Sequence, residues 1–120
     1  MKDFKTLNVW KESHELTLDI YLVTKSYPVD EKFGVISQIR RASASVPTNI
    51  AEGCGRRTNN ELINFIGIAQ GSIQEVEYLL ILSKDLKYLS QKDYLELNDK
   101  ANKIKAMLIN FLKGLKTLPV

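Results

Sequence analysis

Apolar positions along this chain recur at steps of three and four over stretches of helix length, and strict alternation over strand lengths is absent. That periodicity predicts an all-helical fold. A first helix over 8–26 would be capped by Asn8 and stopped by Tyr27-Pro28, because the residue before proline is pushed out of helical geometry. Val9, Leu16, Ile20, Val23 and Tyr27 form one apolar stripe. Leu7, Trp10, Leu18, Tyr21 and Leu22 lie largely opposite it, leaving Glu12, Glu15 and Asp19 as a narrow charged strip. A small bundle covers one side of a helix, so two apolar faces predict contact with another subunit. A second helix over 30–54 takes Asp30 as its cap, with Glu31 in its first turn and Phe33, Val35, Ile36 and Ile39 as its apolar side. Pro47 either kinks this helix or breaks and restarts it, and a kink is the expectation. Gly53-Cys54-Gly55 would end it through a left-handed glycine.

The third helix, 58–88, has Thr58 or Asn59 as its cap and a stripe of Leu62, Phe65/Ile66, Ala69, Ile73, Val76, Leu80, Ser83 and Leu86. Ser90, with Asp93 three residues later, opens a fourth over 91–117, whose stripe runs Tyr94, Leu97, Ala101, Ile104, Leu108, Phe111, Leu115, Leu118. Connections of a few residues favour antiparallel neighbours, so the expected architecture is one domain, 1–120, folded as an up-down four-helix bundle with the second helix kinked near Pro47.

Composition narrows the function. With 44% hydrophobic and 26% charged residues in 120, the chain has the make-up of an ordinary globular domain. It has no apolar run near the ~18 residues of a membrane span and no secretory signal at its start, so a cytoplasmic location is expected. One cysteine, Cys54, cannot close an internal disulfide, and one histidine, His14, cannot build a multi-histidine metal site. His14 follows Glu12 by two positions, whereas a di-metal bundle needs Glu-x-x-His pairs. We therefore expect no metal, no cofactor and no catalytic residue.

The arginines carry the strongest functional signal. All four, Arg40, Arg41, Arg56 and Arg57, fall between residues 40 and 57, where Glu52 is the only acid, and every lysine lies outside that interval. The interval carries +3, equal to the charge of the whole chain. Guanidinium forks suit phosphate, which makes the four arginines candidate contacts to an RNA or DNA backbone. Ser43, Ser45, Thr48 and Asn49 add neutral hydrogen-bonding groups nearby. The competing reading is that some arginines pair internally with Glu52 or Glu75, within a structural polar network of Asn49, Glu52 and Glu75, and the rest are solvated. Arg56 and Arg57, in a turn, are the stronger contact candidates; Arg40 and Arg41 are the ones expected to be consumed by Glu52 or Glu75. Gly67 and Gly71, four apart in the third helix, suggest close helix packing.

Several blocks together resemble the four-helix-bundle proteins encoded within intervening sequences of bacterial 23S rRNA genes. They are Phe4-x-x-Leu7-x-Val9-Trp10, Pro28-x-x-Glu31-x-Phe33-Gly34, Gln38-x-Arg40-Arg41-Ala42, Ser45-Val46-Pro47-x-Asn49-Ile50-Ala51-Glu52-Gly53 and Gly71-Ser72-x-x-Glu75. Where that family usually has an aromatic residue after the last glycine of the fourth block, this chain has Cys54. The resemblance implies a homo-oligomeric ring, five-membered as first choice, without established enzymatic activity. The chain is also similar to the accessory proteins of diversity-generating retroelements, whose basic rings engage nucleic acid and a reverse transcriptase. Two functions follow as expectations: an oligomeric nucleic-acid-binding module, or a protein-interaction scaffold that binds no nucleic acid.

Overall fold

The computed structural model describes residues 3–117, and Leu118 of the expected fourth stripe lies outside them. Among the described residues there are four α-helices and no strand: α1 (Asn8–Val23), α2 (Val35–Cys54), α3 (Asn59–Asp85) and α4 (Gln91–Lys116). α1 packs on α2, α2 on α3, α3 on α4, and α4 closes back on α1, the cyclic adjacency of an up-down bundle. The result is a rod of 49 × 23 × 20 Å.

The periodic stripes meet along its axis. Leu16, Ile20, Ile39, Val46, Ile50, Ile66, Ile73, Val76, Leu80, Ile104 and Leu108 are essentially inaccessible. The strip of acids on α1 faces α4: Lys103 Nζ donates to Glu12 Oε1 at 2.9 Å, and Lys100 donates to Asp19. The second apolar face of α1 divides. Leu7 and Trp10 are half-buried, whereas Leu18 and Leu22 remain 56% and 65% exposed.

Several boundaries differ from expectation, each for a local reason. Asn8 is the first residue of α1 rather than its cap; Leu7 holds the cap position without a side-chain bond, behind a 3-10 turn over Phe4–Thr6 that Asp3 caps. α1 tightens into a 3-10 turn over Thr24–Ser26 before Pro28. Asp30 does not cap α2. Val29–Glu31 form a separate 3-10 turn, and α2 begins at Val35, whose N–H donates to Glu31 Oε1 at 3.4 Å. The other oxygen of Glu31 accepts from Tyr88 Oη at 2.8 Å, tying this connection to the α3–α4 turn. Phe33, falling outside α2, does not join its apolar side and is 88% exposed.

α2 runs through Pro47 without breaking. Proline has no N–H to donate to the carbonyl one turn earlier, that of Ser43. Thr17 of α1 takes that place, its Oγ1 donating to Ser43 O at 3.0 Å while sharing its proton with Ser13 O, also at 3.0 Å. The far end of α2 does not use a left-handed glycine, since Gly55 has φ −86°. Gly53 is required for a different reason: a Cβ there would sit 2.8 Å from Leu62 Cδ1 and 2.9 Å from Phe65 Cβ, so α2 and α3 approach too closely for a side chain.

α3 starts on Thr58, whose Oγ1 accepts from Glu61 N–H at 3.2 Å, and α4 starts on Ser90, which accepts from Asp93 N–H at 3.1 Å. α3 ends before the expected residue 88. Lys87 adopts φ 66°, the Lys87 N–H reaches Lys84 O and the Tyr88 N–H reaches Ser83 O, both at 2.9 Å. This is a Schellman cap with lysine where glycine is the usual occupant.

Three stability measurements check this description by chemical denaturation. Leu108→Ala, at a fully buried position, should cost about 2 to 5 kcal/mol. Thr17→Val preserves shape but leaves the Ser43 carbonyl without a donor, and should cost about 1 to 3 kcal/mol. Lys87→Gly should raise stability by about 1 kcal/mol, because it relieves a left-handed backbone on a residue with a Cβ.

Candidate nucleic-acid interface

The four arginines do not form one cluster. Arg41 and Arg56 are fifteen residues apart, which at helical rise separates them by about 22 Å along the rod. Within each pair, one arginine is engaged and one is open.

Arg40, half-buried, belongs to the α1–α2 seam. Its Nε donates to Thr24 Oγ1 at 2.8 Å and its Nη2 to Tyr21 O at 3.3 Å, with the guanidinium 4.8 Å from the centre of the Tyr21 ring. Thr24 Oγ1 accepts because its own proton goes to Ile20 O at 2.7 Å. A cation at the last carbonyls of α1 complements the negative end of that helix. Arg40 is thus held by the end of α1, not by Glu52 or Glu75 as the sequence suggested. Arg41, on the neighbouring face, points outward and makes no ion pair among the described residues.

At the opposite end, Arg56 lies 3.9 Å from Glu52 and 4.8 Å from the centre of the Phe65 ring. The pair is exposed and loose, the kind that solvent screens. Arg57 stands exposed in the α2–α3 turn without an ion pair among the described residues. The turn leaves both arginines exposed, as expected, but Arg56 has Glu52 and Phe65 beside it and Arg57 has no ion pair among the described residues.

The anticipated network of Asn49, Glu52 and Glu75 is also rearranged. Asn49 Nδ2 donates to Ser45 O at 2.8 Å and Ser45 Oγ at 2.9 Å, and Ser45 Oγ meets Ser72 Oγ at 2.8 Å across the α2–α3 contact. Glu52 and Glu75 stand outside it, both exposed, and Glu75 has no ion pair among the described residues. The spacing of Ser45 and Asn49, four apart, already places them on one helical face. Ser72 as their partner becomes visible only when α3 is docked.

Up-down topology brings further cations to the Arg57 end. The Phe4–Thr6 turn packs on α2 and carries Lys5; the last turn of α4 carries Lys113 and Lys116. Against these stand Asp3, Glu52 and Glu61, of which Glu61 is occupied with the Thr58 cap. These lysines lie far apart along the chain and form no cluster in sequence, yet short connections in a bundle require the termini that carry them to share an end.

Cys54 is buried, and His14 is exposed and stacked on Trp10 with ring centres 5.1 Å apart. No group of three or more metal-ligating side chains comes together among the described residues, and none of the described helices is long and apolar enough to cross a membrane. Gly67 and Gly71 do not mediate packing within the bundle, since a Cβ at either would meet nothing within 4 Å.

Comparison with known proteins agrees with this architecture. A solved structure of a protein of unknown function from the S23 ribosomal protein family of Bacteroides thetaiotaomicron superposes with a TM-score of 0.79 at 27% identity, covering 88% of this chain and 98% of that one. No curated protein sequence matches the chain. The family model of the 23S rRNA-intervening sequence protein matches residues 5–110, from the turn before α1 into α4, and the chain belongs to that family.

Proposed function

We propose that this protein is a non-enzymatic, ring-forming cytoplasmic module that holds an RNA or DNA backbone weakly, with little sequence preference, on the end of the bundle that carries Arg57. The observation that carries this reading is the convergence of Arg56 and Arg57 with Lys5, Lys113 and Lys116 on one end of the rod, built from three separate parts of the chain. Copies arranged around an axis parallel to their rods present these ends together. Several modest patches then contact one polyanion, and simultaneous phosphate contacts add avidity. Oligomerisation is supported by the exposed leucines of α1, which a monomer leaves in water. Five copies is the number that the resemblance implies. The likeness to the accessory proteins of diversity-generating retroelements, with their basic rings, belongs with the same reading.

The second reading, a scaffold without nucleic acid, draws on Arg40. That guanidinium is committed to Thr24 and Tyr21, which shows that clustered arginines in this chain also serve structure.

Binding of fluorescent single-stranded RNA and duplex DNA, measured across salt concentration, separates the two. Phosphate contacts release counterions, so affinity should fall steeply as salt rises. Replacing Arg56 and Arg57 together with alanine should weaken binding and flatten that dependence, each lost phosphate contact lowering the slope by about one, while the oligomer stays intact. Arg57→Ala alone should account for most of the loss, because Arg56 is shared with Glu52 and Phe65. Unchanged, salt-independent binding by the double variant would reject the site; no binding by intact wild-type rings at low salt would favour the scaffold instead.

A further inference from the structure

At the end of the rod away from Arg57, the α1–α2 seam opens into a pocket of about 510 Å³, to which the turn before α2 contributes Lys32 and Phe33. Three of the side chains around it are cations, Lys32, Arg40 and Arg41, and none is an acid. None of the three makes an ion pair among the described residues. Of the two acids just before them in sequence, Asp30 is not part of the wall, and Glu31 is turned aside, its oxygens taken by the Val35 N–H and the Tyr88 hydroxyl. The positive charge of the pocket is therefore left without a counter-charge in its wall.

The three cations differ in freedom. Arg40 is fixed by Thr24 Oγ1, Tyr21 O and the face of the Tyr21 ring, which spend two of its five N–H donors and leave three. A guanidinium already held in place loses little freedom when an anion arrives. Arg41 is exposed, and Lys32 Nζ stands 5.5 Å from the centre of the Phe33 ring. Side chains lean toward the N-terminus of their helix, so both guanidinium groups leave α2 in the direction of Lys32 and Phe33. Two rings complete the wall, Phe33 at 88% exposure and Tyr21 at 43%.

We propose that this pocket binds a single nucleotide, its phosphate held by Arg40, Arg41 and Lys32 and its base laid on the ring of Phe33. The chemistry recognised is a phosphate ester joined to a flat aromatic ring, whether of a free nucleotide or of the terminal nucleotide of a strand. The pocket shares no residue with the polyanion surface at the Arg57 end and lies about 22 Å from Arg56 along the rod, so either site can fail alone.

The wall favours a nucleotide over other anions. Inorganic phosphate or an acidic peptide would satisfy the cations and leave the Phe33 ring in water. A nucleotide meets both demands at once: guanidinium forks match phosphate oxygens, and any base stacks on an aromatic ring because every base has a π face. The volume also lies within the roughly 300 to 1,000 Å³ usual for small-molecule sites.

Isothermal titration calorimetry of the full chain at low salt tests the site, with adenosine 5′-monophosphate as the probe and adenosine and inorganic phosphate as its two halves. The monophosphate should bind once per chain, and each half about tenfold or more weakly. Arg41→Ala should lower the affinity by about tenfold or more, the loss of one charge-assisted contact. Phe33→Ala should lower it by about tenfold while leaving the affinity for inorganic phosphate unchanged. Both side chains are exposed, so both variants should keep the wild-type circular dichroism. Arg57→Ala should leave nucleotide binding as it is. Inorganic phosphate binding as tightly as the monophosphate, or Phe33→Ala without effect, would reduce the pocket to an anion patch and overturn the proposal. Loss of binding on Arg57→Ala would overturn it by moving the ligand to the other end. If the monophosphate does not bind, a single-stranded oligonucleotide with a 5′-phosphate decides: binding weakened by both Arg41→Ala and Phe33→Ala assigns the pocket to the end of a strand, and binding indifferent to either variant, or absent, overturns the proposal.

Discussion

A proline inside a helix sets the terms on which α1 and α2 join. Pro47 denies the Ser43 carbonyl its helical donor, and a buried carbonyl without a donor costs as much as a lost hydrogen bond. Thr17 supplies the proton from the neighbouring helix, at 3.0 Å. A defect in one helix thus becomes a specific, directional link to another. Apolar stripes alone allow helices to slide; a single buried donor aimed at a single buried acceptor allows one register. Farther along the same seam Arg40 spans Thr24 and Tyr21, and between α2 and α3 the Ser45–Ser72 bond and the close approach at Gly53 set the next register. α2 is therefore the element against which α1 and α3 are both positioned.

The surface groups inherit that registration. Arg41 leaves α2 on the face away from the core, Leu18 leaves α1 at nearly the same height, and Glu75 does so from α3. A slip of one residue at either seam would move these groups about 1.5 Å relative to each other. The charged groups divide by the same logic. Those facing a neighbouring helix, such as Glu12 with Lys103 and Glu77 with Lys105, are paired, while Arg41, Arg57 and Glu75 face outward. An outward charge without an internal partner is available to another molecule.

Much of this molecule was legible in its sequence by itself. Steps of three and four give the helices and their buried stripes because a helix core repeats every 3.6 residues whatever it packs against. The caps at Thr58 and Ser90 were legible because a side chain bonding its own backbone three residues on is a local event. The blocks from Gln38 to Gly53 and from Gly71 to Glu75 pointed to the family. Tertiary structure alone decided what depends on two segments meeting. It placed Asn49 with Ser45 and Ser72 rather than with the acids, gave Arg40 to the end of α1, left Phe33 outside the core, and brought lysines distant in sequence to the Arg57 end. It also replaced a conformational role for Gly53 with a steric one. The physical reason is common to all of these. Periodicity states which face of a helix is buried, but the partner of a polar side chain depends on the height and rotation at which helices dock. Those are set by a few contacts, Thr17 on Ser43 foremost, that no local pattern encodes.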